Sequence, residues 1–363
     1  MKKIFSPAHL LPVVHDWMHR HPRRTAIFAA SGLLLASSLI VFASLYRKPV
    51  AIEPAPTQKK VVKAPEKKYY SPLTGVQVTD EAATKQAVTA IMIENSPSAR
   101  PQSGIKEAGI VYEAIAEGGI TRFLALYQTE KPQLIGPVRS VRLYYVDWLA
   151  PYQASVAHIG GSKFALDEVR NGSYRDIDQF FNSPYYWRAT DRYAPHNVYT
   201  SFEKLDALNS MKGYNTSTFT SFTRTDGKPS TTPNATSVDL NFSSAWYDTH
   251  YDYDARTNTY QRGVGGEAHM DREKGQVAPS VVIAMKVDMT MVMEDGWREQ
   301  ITTSGTGSAV VFQNGTVIEA TWRKNDRQSP LELIDANGAA ISLNRGQTWI
   351  AAIPNGKGTV AWQ

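Results

Sequence analysis

Twenty-two consecutive residues, Thr25 to Tyr46 (TAIFAASGLLLASSLIVFASLY), carry no charge, and this run constrains the chain more than any other feature. A membrane-spanning helix needs about 20 apolar residues. A helix buried in a globular core usually keeps a polar stripe, whereas here only scattered Ser and Thr interrupt the apolar residues. Val41-Phe42-Ala43 has the spacing that a signal peptidase reads. The run is nevertheless long for a signal peptide, and 24 residues precede it. We therefore expect an uncleaved transmembrane anchor over 25–46, behind a cytoplasmic tail of residues 1–24. Arg20, Arg23 and Arg24 stand before the run and Arg47, Lys48, Lys59 and Lys60 after it, so the positive-inside rule is nearly balanced. The short N-terminal tail favours placing the rest of the chain outside.

Residues 47–70 (RKPVAIEPAPTQKKVVKAPEKKYY) mix Pro, Lys and Ala without an apolar period. They read as an extended spacer with a reach of roughly 70 Å at about 3 Å per residue. The basic balance of the chain also belongs to this end. Of 39 Lys+Arg and 34 Asp+Glu, residues 1–70 hold 12 and 3, which leaves 27 and 31 for residues 71–363. A nucleic-acid-binding domain needs a basic face; a mildly acidic one does not supply it, and we expect no nucleic-acid partner.

From Ser71 onward, short apolar runs rich in β-branched and aromatic residues read as strands: Val88–Glu94, Ile110–Ile115, Arg122–Gln128 and Ser155–Ile159. Helical stretches at Val141–Tyr152, Lys163–Val169 and Phe202–Met211 alternate with them, the last preceded by Ser201 as its cap. This alternation predicts an α/β domain over 71–226. Thr225–Ser237 (TDGKPSTTPNATS) is a break. Beyond it, Trp246–Tyr253, Ser280–Val287, Ala309–Gln313, Thr316–Trp322, Leu331–Ile334 and Thr348–Ile353 are strand-like. Asn314-Gly315 and Asn337-Gly338 are hairpin-turn pairs. A mostly antiparallel β domain is expected over 237–363.

No Walker loop, Gly-x-Ser-x-Gly elbow, His-Glu-x-x-His or dinucleotide fingerprint occurs, and the absence of cysteine excludes thiolate chemistry. No cofactor is named by the residues. His269-x-Asp271 and His250-Tyr-Asp252 are pairs that alternation produces by chance, so no metal site is expected. The basic residues in Gly/Pro loops are more informative. Arg100 lies in Asn95-Ser-Pro-Ser-Ala-Arg-Pro-Gln-Ser-Gly104 and Arg122 follows the Gly118-Gly119 turn. Arg139 and Arg142 lie in Gly136-Pro-Val-Arg-Ser-Val-Arg142, three apart, so a helix would put them on one face. Loops at the carboxyl ends of strands form the crevice of an α/β sheet, and guanidinium groups grip phosphate and carboxylate bidentately. Arg100, Arg122, Arg139 and Arg142, with Asn95 and Asn197, are the candidate ligand-binding set. Glu113 and Glu117 are the expected counter-charges; with His158 and His196 they are also the candidate acids and bases. A buried Arg–Glu network that only fixes loops is the rival reading.

The same loops carry a resemblance. Ser71-Pro-Leu-Thr-Gly75, Arg100-Pro-Gln-Ser-Gly104, Glu117-Gly-Gly-Ile-Thr-Arg122, Gly136-Pro-Val-Arg-Ser-Val-Arg142 and Ala194-Pro-His-Asn197 resemble the YerB-like bacterial lipoproteins, domain-of-unknown-function family 3048. Asn314-Gly315, Thr321-Trp322, Asn337-Gly338 and Gly346-Gln-Thr-Trp349 extend the resemblance to about residue 360. It implies an extracytoplasmic place and a layout of two domains, and no reaction. Those lipoproteins carry a lipid-modified cysteine, and this chain has none; residues 25–46 stand in its place. The layout is also similar to that of LytR-CpsA-Psr wall-polymer ligases, by analogy alone. The expectation is a membrane-anchored envelope protein that binds an anionic component or a protein partner through an Arg-rich site. The alternative is a phosphotransferase-like enzyme acting on a phosphate-containing wall precursor.

Overall fold

A computed structural model describes residues 11–46, 67–290 and 298–363. The spacer expected over 47–70 lies outside the described residues except for its last four. The chain divides into two units, Met1–Pro65 and Glu66–Gln363. In the first, α1 (Leu11–Arg20) precedes α2 (Pro22–Leu45), with Pro22 opening the second helix. Helix α2 has 24 residues, about 36 Å at 1.5 Å each, against a hydrocarbon layer of about 30 Å. None of its residues is buried by protein. By length and composition it can cross a membrane.

The second unit is strand-rich with few helices. Fifteen strands build its two larger sheets. In chain order they are β1 (Thr89–Glu94), β2 (Ile110–Glu117), β3 (Ile120–Tyr127), β4 (Ser155–Ala157), β5 (Arg175–Asp176), β6 (Ser237–Asn241), β7 (Thr249–Asp254), β8 (Thr259–Val264), β9 (Glu267–Ala268), β10 (Val281–Val287), β11 (Gly305–Gln313), β12 (Thr316–Lys324), β13 (Glu332–Ile334), β14 (Thr348–Pro354) and β15 (Thr359–Trp362). Three helices join them: α3 (Leu143–Leu149), α4 (Lys163–Asn171) and α5 (Phe202–Met211). Ten strands form one sheet in the order β13-β12-β11-β10-β14-β2-β3-β1-β4-β5, and five form another, β9-β8-β7-β6-β15.

The middle of the ten-stranded sheet is made of segments far apart in sequence. Strand β14 runs parallel to both β10 and β2, so Trp349 pairs with Val282 on one side and Val111 on the other. Strands from both sides of residues 225–237 thus share one sheet. Helices separate β1 from β4 and β4 from β5, and both of these pairs are parallel. Strands β2 and β3 instead form a hairpin, closed by Gly118 and Gly119 at φ 58° and 79°. Both central residues of such a turn need φ > 0, which glycine adopts without strain. Asn314 and Gly315, at φ 60° and 73°, turn β11 into β12 in the same way. Ser201 caps α5, its Oγ accepting from the Lys204 N–H at 3.3 Å.

Strands β1 to β3 are buried on both faces. On one face Met92, Tyr112, Ala114 and Leu124 pack beneath α3, and Trp148 stacks on Tyr112 at 5.4 Å. On the other face Ile91, Ile93, Phe123 and Tyr127 meet Phe202, Leu205 and Leu208 of α5. A third core joins the two sheets through Val238, Tyr251, Tyr260, Val282, Phe312 and Ile353. Each such apolar side chain contributes roughly 1.5–3 kcal/mol on full burial.

Candidate functional site

Chain direction separates the arginines. Glu113 pairs across the strands with Phe123 and Ala114 with Arg122, so Arg122 and Glu113 point to opposite faces of the sheet. On the α3 face, Arg122 Nη2 donates to Glu117 Oε1 at 2.8 Å and Nη1 to the Ser140 carbonyl at 2.9 Å. Arg142 reaches the other oxygen of the same carboxylate, with Nε at 3.0 Å and Nη2 at 2.6 Å. Arg122 is 2% exposed and Arg142 4%. Residues 139–142 do not form the first turn of a helix: Arg142 is extended at φ −125°, ψ 155°, and α3 starts only at Leu143. Arg139 and Arg142 therefore do not share a helix face. They go to different carboxylates.

Burial alone would raise the Glu117 pKa, but the Arg122 and Arg142 charges and hydrogen bonds outweigh it and hold it at about 2, below its ordinary 4.5. A depressed carboxyl pKa adds stability that is complete above the unfolded value and is lost as pH falls toward the folded one. Thermal melts should therefore show stability declining from about pH 4.5 toward pH 2. Glu117→Gln should flatten that acid limb; an unchanged limb in the variant would refute the assignment.

Glu113 lies at the centre of the opposite face and is fully buried. Its Oε2 accepts from Arg262 Nη2 at 2.8 Å and from the Trp349 indole at 2.9 Å. Its Oε1 accepts from Thr121 Oγ1 at 2.9 Å and faces Asn95 Nδ2 at 3.4 Å. Asn95 Oδ1 receives Arg100 Nε and Gln102 Nε2, each at 3.1 Å. Gln102 Oε1 then meets His269 Nε2 at 2.9 Å, and His269 Nδ1 faces Arg262 Nη1. His269 is thus an acceptor at Nδ1 and a donor at Nε2, the neutral form. Burial first, then the Arg262 and Arg100 charges, drive its pKa well below the ordinary range. Arg100 has its own ties, Nη2 donating to the Asn95 carbonyl at 3.1 Å and to the Trp246 carbonyl at 2.9 Å. Arg262 did not stand among the sequence candidates, and His269 stood there only in a metal pair that was set aside. The signal for Arg262 is the alternation Tyr260, Arg262, Val264, which sends all three inward.

A third group gathers at the carboxyl end of β1. Glu94, 3% exposed, accepts from Ser96 Oγ at 3.1 Å and faces His196 Nδ1 at 3.0 Å. Arg139 Nε makes an ion-pair contact with it at 3.3 Å. The side chains of Arg139 and His196 are each 25% exposed. The Arg139 guanidinium makes no hydrogen bond among the described residues. Arg192, next along the His196 loop, donates to the Pro101 carbonyl. Three of the Gly/Pro loops read in the sequence therefore converge here, the first through Ser96 and Pro101, the others through Arg139 and His196. Ser96, His196 and Glu94 are the residue types of a nucleophile–base–acid triad. Ser96 and Glu94, however, both meet the same ring nitrogen, at 3.3 and 3.0 Å. A relay needs them on opposite nitrogens. Glu94 was missed in the sequence, although a carboxylate closing an apolar strand must find a partner when buried.

His158 and Asn197 sit in satisfied positions. His158 is fully buried, with Nδ1 at 2.8 Å from the Gly160 carbonyl and Nε2 at 3.1 Å from Asp176 Oδ1. Burial raises the Asp176 pKa, but the His158 bond and charge reverse this to a net lowering. Ligand atoms of His158, Asp176 and Asp178 lie within 4.8 Å of one another, a spacing compatible with a metal ion. Arg170 already donates to Asp178 Oδ2 at 2.8 Å, and that cation disfavours a second one. Asn197 accepts from Arg188 at 2.7 Å and donates to the Ala189 carbonyl at 3.1 Å, bracing the loop that carries His196.

In chain order, a helix long enough to span a membrane precedes a strand-rich unit with ionic networks across its central strands. Comparison gives the particular family. A family model described as "Protein of unknown function (DUF3048) N-terminal domain" matches residues 73–215, and its C-terminal counterpart matches 238–350. YerB, a proposed lipoprotein of Bacillus subtilis (strain 168), is 34% identical over 304 residues, 82% of this chain and 90% of its own. The crystal structure of YerB protein from Bacillus subtilis superposes with a TM-score of 0.72 at 30% identity, covering 81% of this chain and 99% of that one. The chain belongs to the DUF3048 family of YerB-like proteins. Having no cysteine, it cannot carry a cysteine-linked lipid, and α2 is the apolar segment compatible with anchoring.

Proposed function

We propose that this protein is a single-pass, extracytoplasmic binding module of the bacterial envelope that recognises an anionic group at the Glu94 cluster. The observation that carries the reading is the Arg139 guanidinium, half-buried, oriented by one carboxylate and without a hydrogen bond of its own among the described residues. Buried Glu94 fixes the Nε edge, and the terminal nitrogens keep their bonding capacity for a ligand oxygen. His196 Nε2 likewise has no bond among the described residues. Arg100 and Arg192 add positive charge through the adjoining loop. The other arginines have a different role: Arg122 and Arg142 share the Glu117 carboxylate, and they hold the approach to α3.

The fixed neighbours of Glu113, Glu117 and His158 favour binding over turnover, because each is already engaged by guanidinium, indole, carboxylate or carbonyl groups. A base must be within reach of the proton it removes. Arg139→Ala tests the proposal. It breaks a partly exposed pair, which is worth roughly 1 kcal/mol or less, so the melting temperature should barely move. Association with inorganic pyrophosphate or a purified anionic wall polymer should fall about tenfold or more, the worth of a charge-assisted hydrogen bond. Unchanged binding in the variant would refute the site. Mg²⁺-dependent turnover of a lipid-linked pyrophosphate would replace the module by the enzyme reading.

A further inference from the structure

Residues 189–191 of the loop that carries His196 line a cleft of about 400 Å³ whose walls include none of Glu94, Ser96, Arg139 and His196. Its walls include Trp187, Arg188, Asp191, Tyr199, Arg272 and Glu273. We propose that this cleft is a carbohydrate subsite that takes an uncharged pyranose ring by its hydroxyl groups.

Three observations support this assignment. First, the Tyr199 hydroxyl, in a residue that is 1% exposed, pairs with the Arg272 side chain on the cleft's wall. The pair sets a phenol oxygen beside guanidinium donors, and a ligand hydroxyl can bond with both. Arg192, Arg272 and Asp191 are near enough for their charges to act on the phenol, which places it on the cleft's charged wall. Second, the wall is balanced in charge. Arg188 and Arg272 face Asp191 and Glu273, with Arg272 Nη2 at 2.6 Å from Asp191 Oδ2. A balanced wall gives no net attraction to an ion. It does offer donors and acceptors side by side, and a sugar hydroxyl, which both donates and accepts, uses both. Third, Trp187 adds a half-buried indole. An aromatic face covers the C–H side of a ring while its polar edge stays wet.

The cleft is built before any ligand arrives. Trp187 and Tyr199 are paired across a short antiparallel ladder. The Arg272 N–H donates to the Gln102 carbonyl at 2.7 Å, and Arg188 is held by Asn197. A preorganised wall spends little entropy on binding.

The test is saturation-transfer NMR on the full chain in nanodiscs, with N-acetylglucosamine and its β-1,4 dimer as probes and with glycine and acetate as charged controls. The expected result is saturable transfer to the sugars, weakened at least tenfold by Arg272→Ala and by Trp187→Ala. Tyr199→Phe, which keeps the ring and removes only the hydroxyl, should weaken it about threefold to tenfold at an unchanged melting temperature. Arg139→Ala should leave sugar binding intact, which separates failure here from failure at the anion site. Absence of saturable transfer to the wild-type chain would overturn the proposal. So would transfer equal in wild type and Arg272→Ala, or glycine and acetate competing as well as the sugars.

Discussion

Arg262→Ala is expected to destabilise the Glu66–Gln363 unit by about 3–5 kcal/mol, the cost of breaking a buried ion pair from one side. The guanidinium is fully buried and has five fixed neighbours. Its Nε donates to Tyr251 OH at 3.2 Å, Nη2 to Glu113 at 2.8 Å, Nη1 faces His269, and the plane lies 4.4 Å over the Trp349 ring and 5.7 Å from Phe123. Removing it leaves the Glu113 carboxylate in the core without its counter-charge and His269 Nδ1 without a donor. For a unit of this size each kcal/mol shifts the melting temperature by about 2–4 °C, so a fall on the order of 10 °C is expected in calorimetry. Arg262→Met combined with Glu113→Gln should recover part of the loss, because an uncharged pair carries no stranded charge. A single variant melting within a degree or two of the parent would show that the network contributes little.

The same network sets a second pH limb, distinct from that of Glu117. His269 is held neutral by burial and by the Arg262 and Arg100 charges, below its ordinary 6.5. The unfolded chain binds a proton there that the folded one refuses, so stability is complete above about pH 6.5 and declines below it.

Deleting residues 22–45 should move the protein wholly from the membrane fraction to the soluble fraction. The apolar run has no charge to stop insertion, and the folded unit has its own cores. Its melting temperature should accordingly not change. Retention in the membrane fraction would mean that another surface attaches it. Orientation is read separately. Protease added to intact spheroplasts should cut within the Pro/Lys-rich residues 47–66 and release the folded part. Protection until lysis would place the folded part inside. A mature N-terminus at Ser44 would mean that the run is a cleaved signal.

Local chemistry was legible without coordinates. The apolar run is a helix of 24 residues; the Ser201 cap, the Gly118-Gly119 turn and the Asn314-Gly315 turn occur where their backbone requirements place them. These depend on φ, on period and on neighbours a few residues away, all of which a sequence displays. The loops holding Ser96 and Arg139 were also legible as Gly/Pro-punctuated segments after apolar strands, and that of His196 as a polar loop with a turn. The tertiary structure decided which charges meet. Glu113 finds Arg262 at a separation of 149 residues and Trp349 at 236, and no periodicity encodes a contact of that range. It also decided that Arg142 and Arg122 share Glu117 while Arg139 turns to Glu94, because α3 begins one residue after Arg142. The insertion of β14 between β10 and β2 was equally out of reach. An apolar run states that a strand must be buried on both faces; its neighbours follow only from the packing of the whole unit.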